Sequence, residues 1–196
     1  MDSRLIAWGR RVKRRAARAD AKPLPPLWFF TGAARAPDPL AVLARLPPGL
    51  CGVILRDDDR PDRLALAKAA ARLCRARGLT LLIAGDARLA ASLGAGLYVR
   101  GGKGPPRRRR GLRGASAHNH AELRQARRAG ADFVFISPVF PTASHPGAPS
   151  LGAAGWRRLA RLARPLRPFA LGGINGARAA TLGPACAGAG AIDAFS

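Results

Sequence analysis

Directly behind the apolar run Phe133-Val134-Phe135-Ile136, the sequence gathers Ser137, Pro138, Pro141, Thr142, Ser144, His145, Pro146 and Gly147. Four apolar residues introduced by Gly130-Ala131-Asp132 read as a strand buried on both faces. A loop rich in proline, glycine and small hydroxyl residues at its carboxyl end has the composition of a binding loop. Thr142 and Ser144 supply hydroxyls. His145, an imidazole mostly neutral at pH 7, reads as a loop residue near the ligand ahead of an acid or base. A second unit, Phe169-Ala170-Leu171-Gly172-Gly173-Ile174-Asn175, runs a short strand into paired glycines and then a helix. Gly172 and Gly173 leave backbone N–H groups bare, which suits an anion. Arg56 follows the buried run Gly52-Val53-Ile54-Leu55 and is read as a ligand contact ahead of a surface ion pair with Asp57 to Asp59. His118 and His120 stand at i, i+2, but a third ligand to complete a metal site is not evident. Asp86 precedes a helix that starts at Ala87 and suits its N-cap.

These residues need a scaffold, and the chain supplies a rhythm of short apolar runs alternating with Ala/Arg/Leu stretches. Strand candidates are Leu27–Phe30, Gly52–Leu55, Leu79–Ile83, Gly96–Val99, Leu112–Ser116 (weak), Phe133–Ile136, the run ending at Leu171, and Gly190–Ala194. Helices are expected over Asp38–Leu46, Asp59–Arg77, Asp86–Leu93, from Asn119 or His120 to Arg128, Ala153–Ala163 and Asn175–Leu182. The rhythm falters at Arg100–Arg110, too short and broken for a normal helix, and an eighth helix is essentially missing. Eight strands separated mostly by helices predict a compact (β/α)8 barrel of the TIM type with weak fourth and eighth helices. A doubly wound open parallel sheet is the alternative. The expected division is a basic amphipathic N-terminal segment, residues 1–22, and a single barrel domain, residues 23–196. In that segment Leu5, Ile6, Trp8 and Val12 share a helical face opposite many arginines. It reads as a helix against the domain or a frayed tail, with membrane or nucleic-acid contact as the alternative. Whether it or another subunit covers the truncated eighth unit stays open.

At 196 residues and 48% hydrophobic the chain suits one globular domain with a sizeable core. The formal charge of +23 suggests a polyanion partner, but Lys13, Lys22, Lys68 and Lys103 are the only lysines. Nearly all the charge is arginine in a chain crowded with Ala, Gly and Pro, a joint bias that GC-rich codons produce and that spreads charge over every face. Arg107–Arg110 is read first as a solvated turn and otherwise as a phosphate or nucleic-acid contact. Cys51, Cys74 and Cys186 are few and far apart, which fits buried thiols in a reducing cytoplasm. Apolar runs long enough for a membrane span are absent, and Leu5-Ile6-Ala7-Trp8 is too short for a signal-peptide core.

At the organising loop the sequence resembles the thiamine-phosphate synthase family and its TenI-type relatives. The carrying residues are Gly130-Ala131-Asp132 with Pro138-Val139-Phe140-Pro141-Thr142-Ala143-Ser144-His145, and Gly172-Gly173-Ile174-Asn175. The resemblance implies a (β/α)8 barrel that joins a pyrimidine methyl diphosphate to a thiazole phosphate and releases pyrophosphate with Mg²⁺. It implies substrate contacts at Arg56, Ser116, Thr142, Ser144, His145, Gly172 and Gly173, and a metal carboxylate at Asp86. The chain departs from the family pattern in several places, with Gly85 for an Asn and His145 for a Lys among them. Ile54 and Asp58 stand where that pattern has Gln and Lys. The segment Arg100 to Lys103 lacks its second metal carboxylate, and Asp193 replaces a small hydroxyl residue. A carboxylate facing a phosphate dianion repels it by roughly 1 kcal/mol or more when poorly screened. Three functions follow. The first is a synthase-type transferase, the second a non-catalytic phosphate-ligand-binding or regulatory barrel, and the third a polyanion-binding module. Small phosphorylated substrates are the implied partners, nucleic acid is disfavoured, and a homo-oligomer stays open.

Overall fold

A computed structural model of the chain describes residues 1–18, 23–32, 36–102, 104, 111–143 and 147–195. Eight strands close a parallel barrel in chain order: β1 (Leu27–Phe30), β2 (Cys51–Leu55), β3 (Thr80–Ala84), β4 (Gly96–Val99), β5 (Arg113–Ala117), β6 (Phe133–Ile136), β7 (Arg167–Leu171) and β8 (Gly188–Ala191). Closure is direct, because Leu27 pairs with Ala189 and Phe29 with Ala191, and it rules out the open sheet. The helices are α1 (Ser3–Ala17), α2 (Pro39–Arg45), α3 (Arg63–Ala76), α4 (Ala87–Ser92), α5 (His120–Arg128), α6 (Gly152–Leu162) and α7 (Gly176–Ala180). Between β4 and β5 the described residues carry only a 3₁₀ turn, Arg100–Gly102. Lys103 and Arg107–Arg110 lie outside the described residues.

The interior is filled by size complementarity. Successive residues of a strand point to opposite faces, so in the observed register Trp28, Gly52, Gly114, Phe133, Phe169 and Gly190 all face inward. Trp28 stacks on Phe133 at 5.0 Å, Phe133 lies 5.1 Å from Phe169, and Phe30 meets Phe135 edge-on at 4.9 Å. Rings this large fit because the strands facing them carry glycine. A Cβ on Gly52 would stand 2.5 Å from the Trp28 ring, one on Gly114 2.7 Å from Phe133, and one on Gly190 2.5 Å from Phe30. The same principle moves the eighth strand two residues earlier than the sequence suggests. Gly188 must enter the barrel to lie under Phe169, while Ile192–Ala194 bend away toward the barrel's rim.

Helix α1 buries Leu5, Ile6, Trp8 and Val12. Gly9 lets it settle on Leu27, where a Cβ would meet the leucine at 2.7 Å. Lys13 donates to Gly49 O and Arg15 to Cys186 O, so the helix lies across the seam of β8 and β1. Its apolar face is therefore spent on the barrel and not on a membrane surface. Among the described residues no helix is long and apolar enough to cross a membrane.

The arginine surplus has a structural use at helix ends. Carbonyls at helix C-termini lack intrahelical donors and carry partial negative charge. Arg77 donates to Leu46 O, Arg75 to Leu93 O, Arg113 to Ala129 O and Arg157 to Thr181 O, which are the C-cap residues of α2, α4, α5 and α7.

Substituting Gly188→Ala tests the packing account. Its Cβ would stand 2.2 Å from Pro26 O and 2.3 Å from the Phe169 ring. The expected loss is about 1–3 kcal/mol, read as a lower urea midpoint with an unchanged slope. An unchanged midpoint would show that the barrel is not filled as described.

Candidate functional site

A cavity of about 430 Å³ opens at the carboxyl ends of the strands. Barrel sites lie at this end because loops there can display polar groups that the filled interior excludes. Phe30 and Gly190 contribute to its walls, so the cavity begins where the aromatic packing stops.

On one side stands Arg56, just past β2. Its Nε donates to Thr31 O at 2.7 Å, its backbone N–H donates to Thr31 Oγ1 at 3.0 Å, and its guanidinium lies 5.9 Å over the Phe30 ring. The Thr31 hydroxyl in turn donates to the buried Asp57 carboxylate. The arginine is thus held by a braced strand end before any ligand arrives.

On the opposite side the loops after β6 and β7 are joined backbone to backbone. Val139 N donates to Leu171 O at 2.9 Å and Phe140 N to Gly172 O at 3.1 Å. Gly172 and Gly173 have φ of +95° and +62°, a region closed to most side chains. A Cβ on Gly173 would stand 2.4 Å from Pro141 O. These glycines are required by the close approach of the two loops, and they leave backbone exposed on the cavity wall beside Thr142. Arg178, in α7, reaches back to donate to Gly173 O at 2.8 Å, with its guanidinium 5.3 Å over the Phe140 ring.

Asp2 closes the rim. Its carboxylate accepts from Leu5 N at 3.0 Å and from Gly176 N at 2.7 Å, capping α1 and α7 together. Burial pushes its pKa up, but the N–H groups of Gly176, Leu5 and Arg4 outweigh that and hold it below the ordinary 3.8. His118 also lines the cavity, and its Nδ1 lies 2.7 Å from Ser137 O. A carbonyl only accepts, so Nδ1 carries the proton and Nε2 keeps a lone pair in the neutral ring.

Of the residues expected from the sequence, Arg56, Thr142, Gly172 and Gly173 meet at this cavity, and Asp193 stands on its wall. Ser116 lies outside it, 8% exposed; its hydroxyl accepts from Gly101 N at 2.9 Å and shares a hydrogen bond with Tyr98. Burial pushes that phenol up to about 12, against the opposing effects of Ser116, Arg56 and Arg100. Ser144 and His145 lie outside the described residues. Asp2 and Arg178 are cavity residues that the sequence reading did not select. Only the spacing of Arg178 three residues behind the Asn175 cap hinted at its place.

Asp86 is placed as a helix cap. It accepts from Leu89 N at 2.9 Å, and its other oxygen lies 3.9 Å from Arg63 Nη1. Among the described residues no group of three or more His, Cys, Asp or Glu side chains could hold a metal ion. The donor set thus offers Mg²⁺ no all-protein cage, and Asp86 is already held by the Leu89 N–H and faced by Arg63. At the same end of the barrel Asp58 and Arg100, standing where the resemblance implies a lysine after β2 and a carboxylate after β4, form an ion pair.

Comparison with known proteins decides the lineage. The family model described as thiamine monophosphate synthase matches residues 29–192. The chain belongs to this family. It is 36% identical over 128 residues to a thiamine-phosphate synthase of Geobacillus kaustophilus, an alignment covering 62% of this chain and 58% of that one. It is 35% identical over 143 residues to the thiamine-phosphate synthase of Thermobifida fusca, covering 67% and 65%. The chain spans little more than half the length of the Geobacillus relatives it matches. A thiamine phosphate pyrophosphorylase from Pyrococcus furiosus superposes with a TM-score of 0.73 at 22% identity, over 87% of this chain and 90% of that one, and shares the barrel.

The double cap by Asp2 predicts a pH-dependent contribution to stability. A carboxylate whose folded pKa is lowered stabilises fully above its unfolded value, and that stabilisation is lost as pH falls through the folded value. Asp2→Asn removes the charge at two helix N-termini and should lower stability at pH 7 by roughly 0.5 kcal/mol, read as a lower urea midpoint. The gap to the wild type should close once pH drops well below 3.8. A gap independent of pH would show that the charge of Asp2 is not what holds the two helices.

Proposed function

We propose that this family member is a thiamine-phosphate synthase-type transferase, joining a pyrimidine methyl diphosphate to a thiazole phosphate and releasing pyrophosphate. The observation that carries the reading is one cavity with the braced Arg56 guanidinium on one side and the Gly172–Gly173 wall with Arg178 on the other. That arrangement suits two phosphorylated fragments held in one pocket. The methylene–oxygen bond of the pyrimidine breaks, pyrophosphate departs with the bonding electrons, and the thiazole nitrogen forms the new C–N bond. Charge grows on the departing oxygens, and a guanidinium already in place stabilises it without reorganising. Arg56 is assigned this binding role. Thr142 and the glycine wall are assigned to the thiazole phosphate, with Ser144 and His145 on the same loop as further contacts. The buried thiols Cys51, Cys74 and Cys186, each pushed up to about 12 mainly by burial, suit a reducing compartment, and the cytoplasm is the proposed location.

A second reading, a barrel that binds phosphorylated ligands without turnover, is favoured by the ion pair of Asp58 and Arg100 and by Asp193 on the cavity wall. A coupled pyrophosphate-release assay on both precursors separates the two readings. The transferase should release pyrophosphate only when both precursors are present. Arg56→Ala, with an unchanged circular dichroism spectrum, should lose about 10²-fold in kcat/KM. Thermal stabilisation by the precursors without release would favour the binding protein.

A further inference from the structure

The loops after β2, β3 and β4 carry a cluster of two carboxylates and two guanidinium groups. Asp58 Oδ1 lies 3.0 Å from Arg63 Nη2, and Asp58 Oδ2 pairs with Arg100. Arg63 Nη2 also donates to Ala84 O, the last carbonyl of β3, at 2.8 Å. Arg63 Nη1 points to Asp86 Oδ2 at 3.9 Å, while Asp86 Oδ1 accepts the Leu89 N–H. One guanidinium thus touches the loop carboxylate after β2, the carbonyl ending β3 and the carboxylate after β3. Two carboxylates and one carbonyl converging from two strand ends are the oxygen ligands a hard divalent ion would take. Here a planar cation rooted in the first turn of α3 stands among them.

We propose that Arg63 is a built-in substitute for a divalent cation at this end of the barrel. Charge and geometry both support it. Asp58 and Asp86 contribute two negative charges, and Arg63 and Arg100 contribute two positive ones, so the cluster is neutral without metal. Adding a divalent ion would leave two uncompensated charges. Mg²⁺ also requires oxygens at about 2.1 Å in a near-octahedral shell. Asp58 Oδ2 pairs with Arg100 and its buried Oδ1, which takes no hydrogen bond, lies against Arg63, while Asp86 Oδ1 takes the Leu89 N–H and its Oδ2 faces Arg63. This inference deepens the proposed function, because any phosphorylated ligand reaching these loops meets guanidinium groups instead of a metal, but its test does not depend on that function.

The test is Mn²⁺ titration of the full chain followed by electron paramagnetic resonance, with Mn²⁺ as the probe for divalent ions. The wild type should leave the Mn²⁺ signal unaltered. Arg63→Met, which frees Asp58, Asp86 and Ala84 O, should gain one Mn²⁺ site, tightening affinity by about 10-fold to 100-fold. Arg63→Gln, which keeps a donor for Ala84 O, serves as the second variant should the methionine protein not fold, and it should show the same gain. Stoichiometric Mn²⁺ binding by the wild type that disappears in Asp86→Asn would overturn the proposal. So would a folded Arg63 variant that remains blind to Mn²⁺. Pyrophosphate release is measured separately, so a protein without Mn²⁺ binding and without turnover counts against the proposed function alone.

Discussion

Closing eight parallel strands sets the width of the bore, and the inward side chains must fill it without voids. In this chain the filling is uneven around the barrel. Trp28 and Phe30 of β1, Phe133 and Phe135 of β6 and Phe169 of β7 crowd one half, and Gly52, Gly114, Gly188 and Gly190 yield to them from β2, β5 and β8. The arrangement leaves the indole N–H of Trp28 at the barrel's amino end, where it donates to Pro25 O at 2.7 Å. It leaves the carboxyl end floored by carbon. Polar chemistry is consequently confined to the strand ends, where Arg56, His118 and Gly172 stand. Ile54, wholly buried on β2, belongs to the apolar packing and cannot offer the hydrogen bonds of the amide side chain found there in the family pattern.

Electrostatics sort along the same axis. With 34 basic and 11 acidic residues, most guanidinium groups cannot meet a carboxylate. Backbone carbonyls absorb part of the surplus, at the ends of α2, α4, α5 and α7 and at Gly49, Cys186 and Gly173. Such contacts distribute positive charge around the helices instead of gathering it on one face, which weakens the case for a polyanion-binding surface. The scarce acids are placed at helix starts and strand ends. Asp2, Asp38 and Asp86 cap helices, and Asp57 braces the end of β1 through Thr31.

The sequence made the barrel legible because β1, β2 and β6 are buried on both faces and so appear as unbroken apolar runs. It was least legible where glycine carries the packing. β5 and β8 look weak as isolated strings, since Gly114, Gly188 and Gly190 gain meaning only from Phe133, Phe169 and Phe30 far away in the chain. The site divides similarly. Gly172, Gly173 and Thr142 were readable because short motifs encode loop shape. Asp2 was not, because its importance comes from capping α7 across nearly the whole chain length. Ser116 shows what a motif does not convey, the partners of a side chain: its hydroxyl accepts from Gly101 N and is hydrogen-bonded to Tyr98.

The two sides of the cavity have therefore been built under different constraints. On the β6–β7 side the approach of two backbones fixes the wall, and Gly172 and Gly173 cannot change without separating the loops. On the opposite side Arg56 is the charged group at the cavity, held by the braced end of β1 through Thr31 and Asp57. The charges beyond that side come in matched sets, Asp58 with Arg100 and Arg63 with both Asp58 and Asp86. Removing one partner costs little, because the side chains of Arg100 and Asp86 are 55% and 38% exposed. Ligand chemistry is therefore carried by a positioned guanidinium on one side and by bare backbone on the other, where Gly172 and Gly173 hold the two loops together.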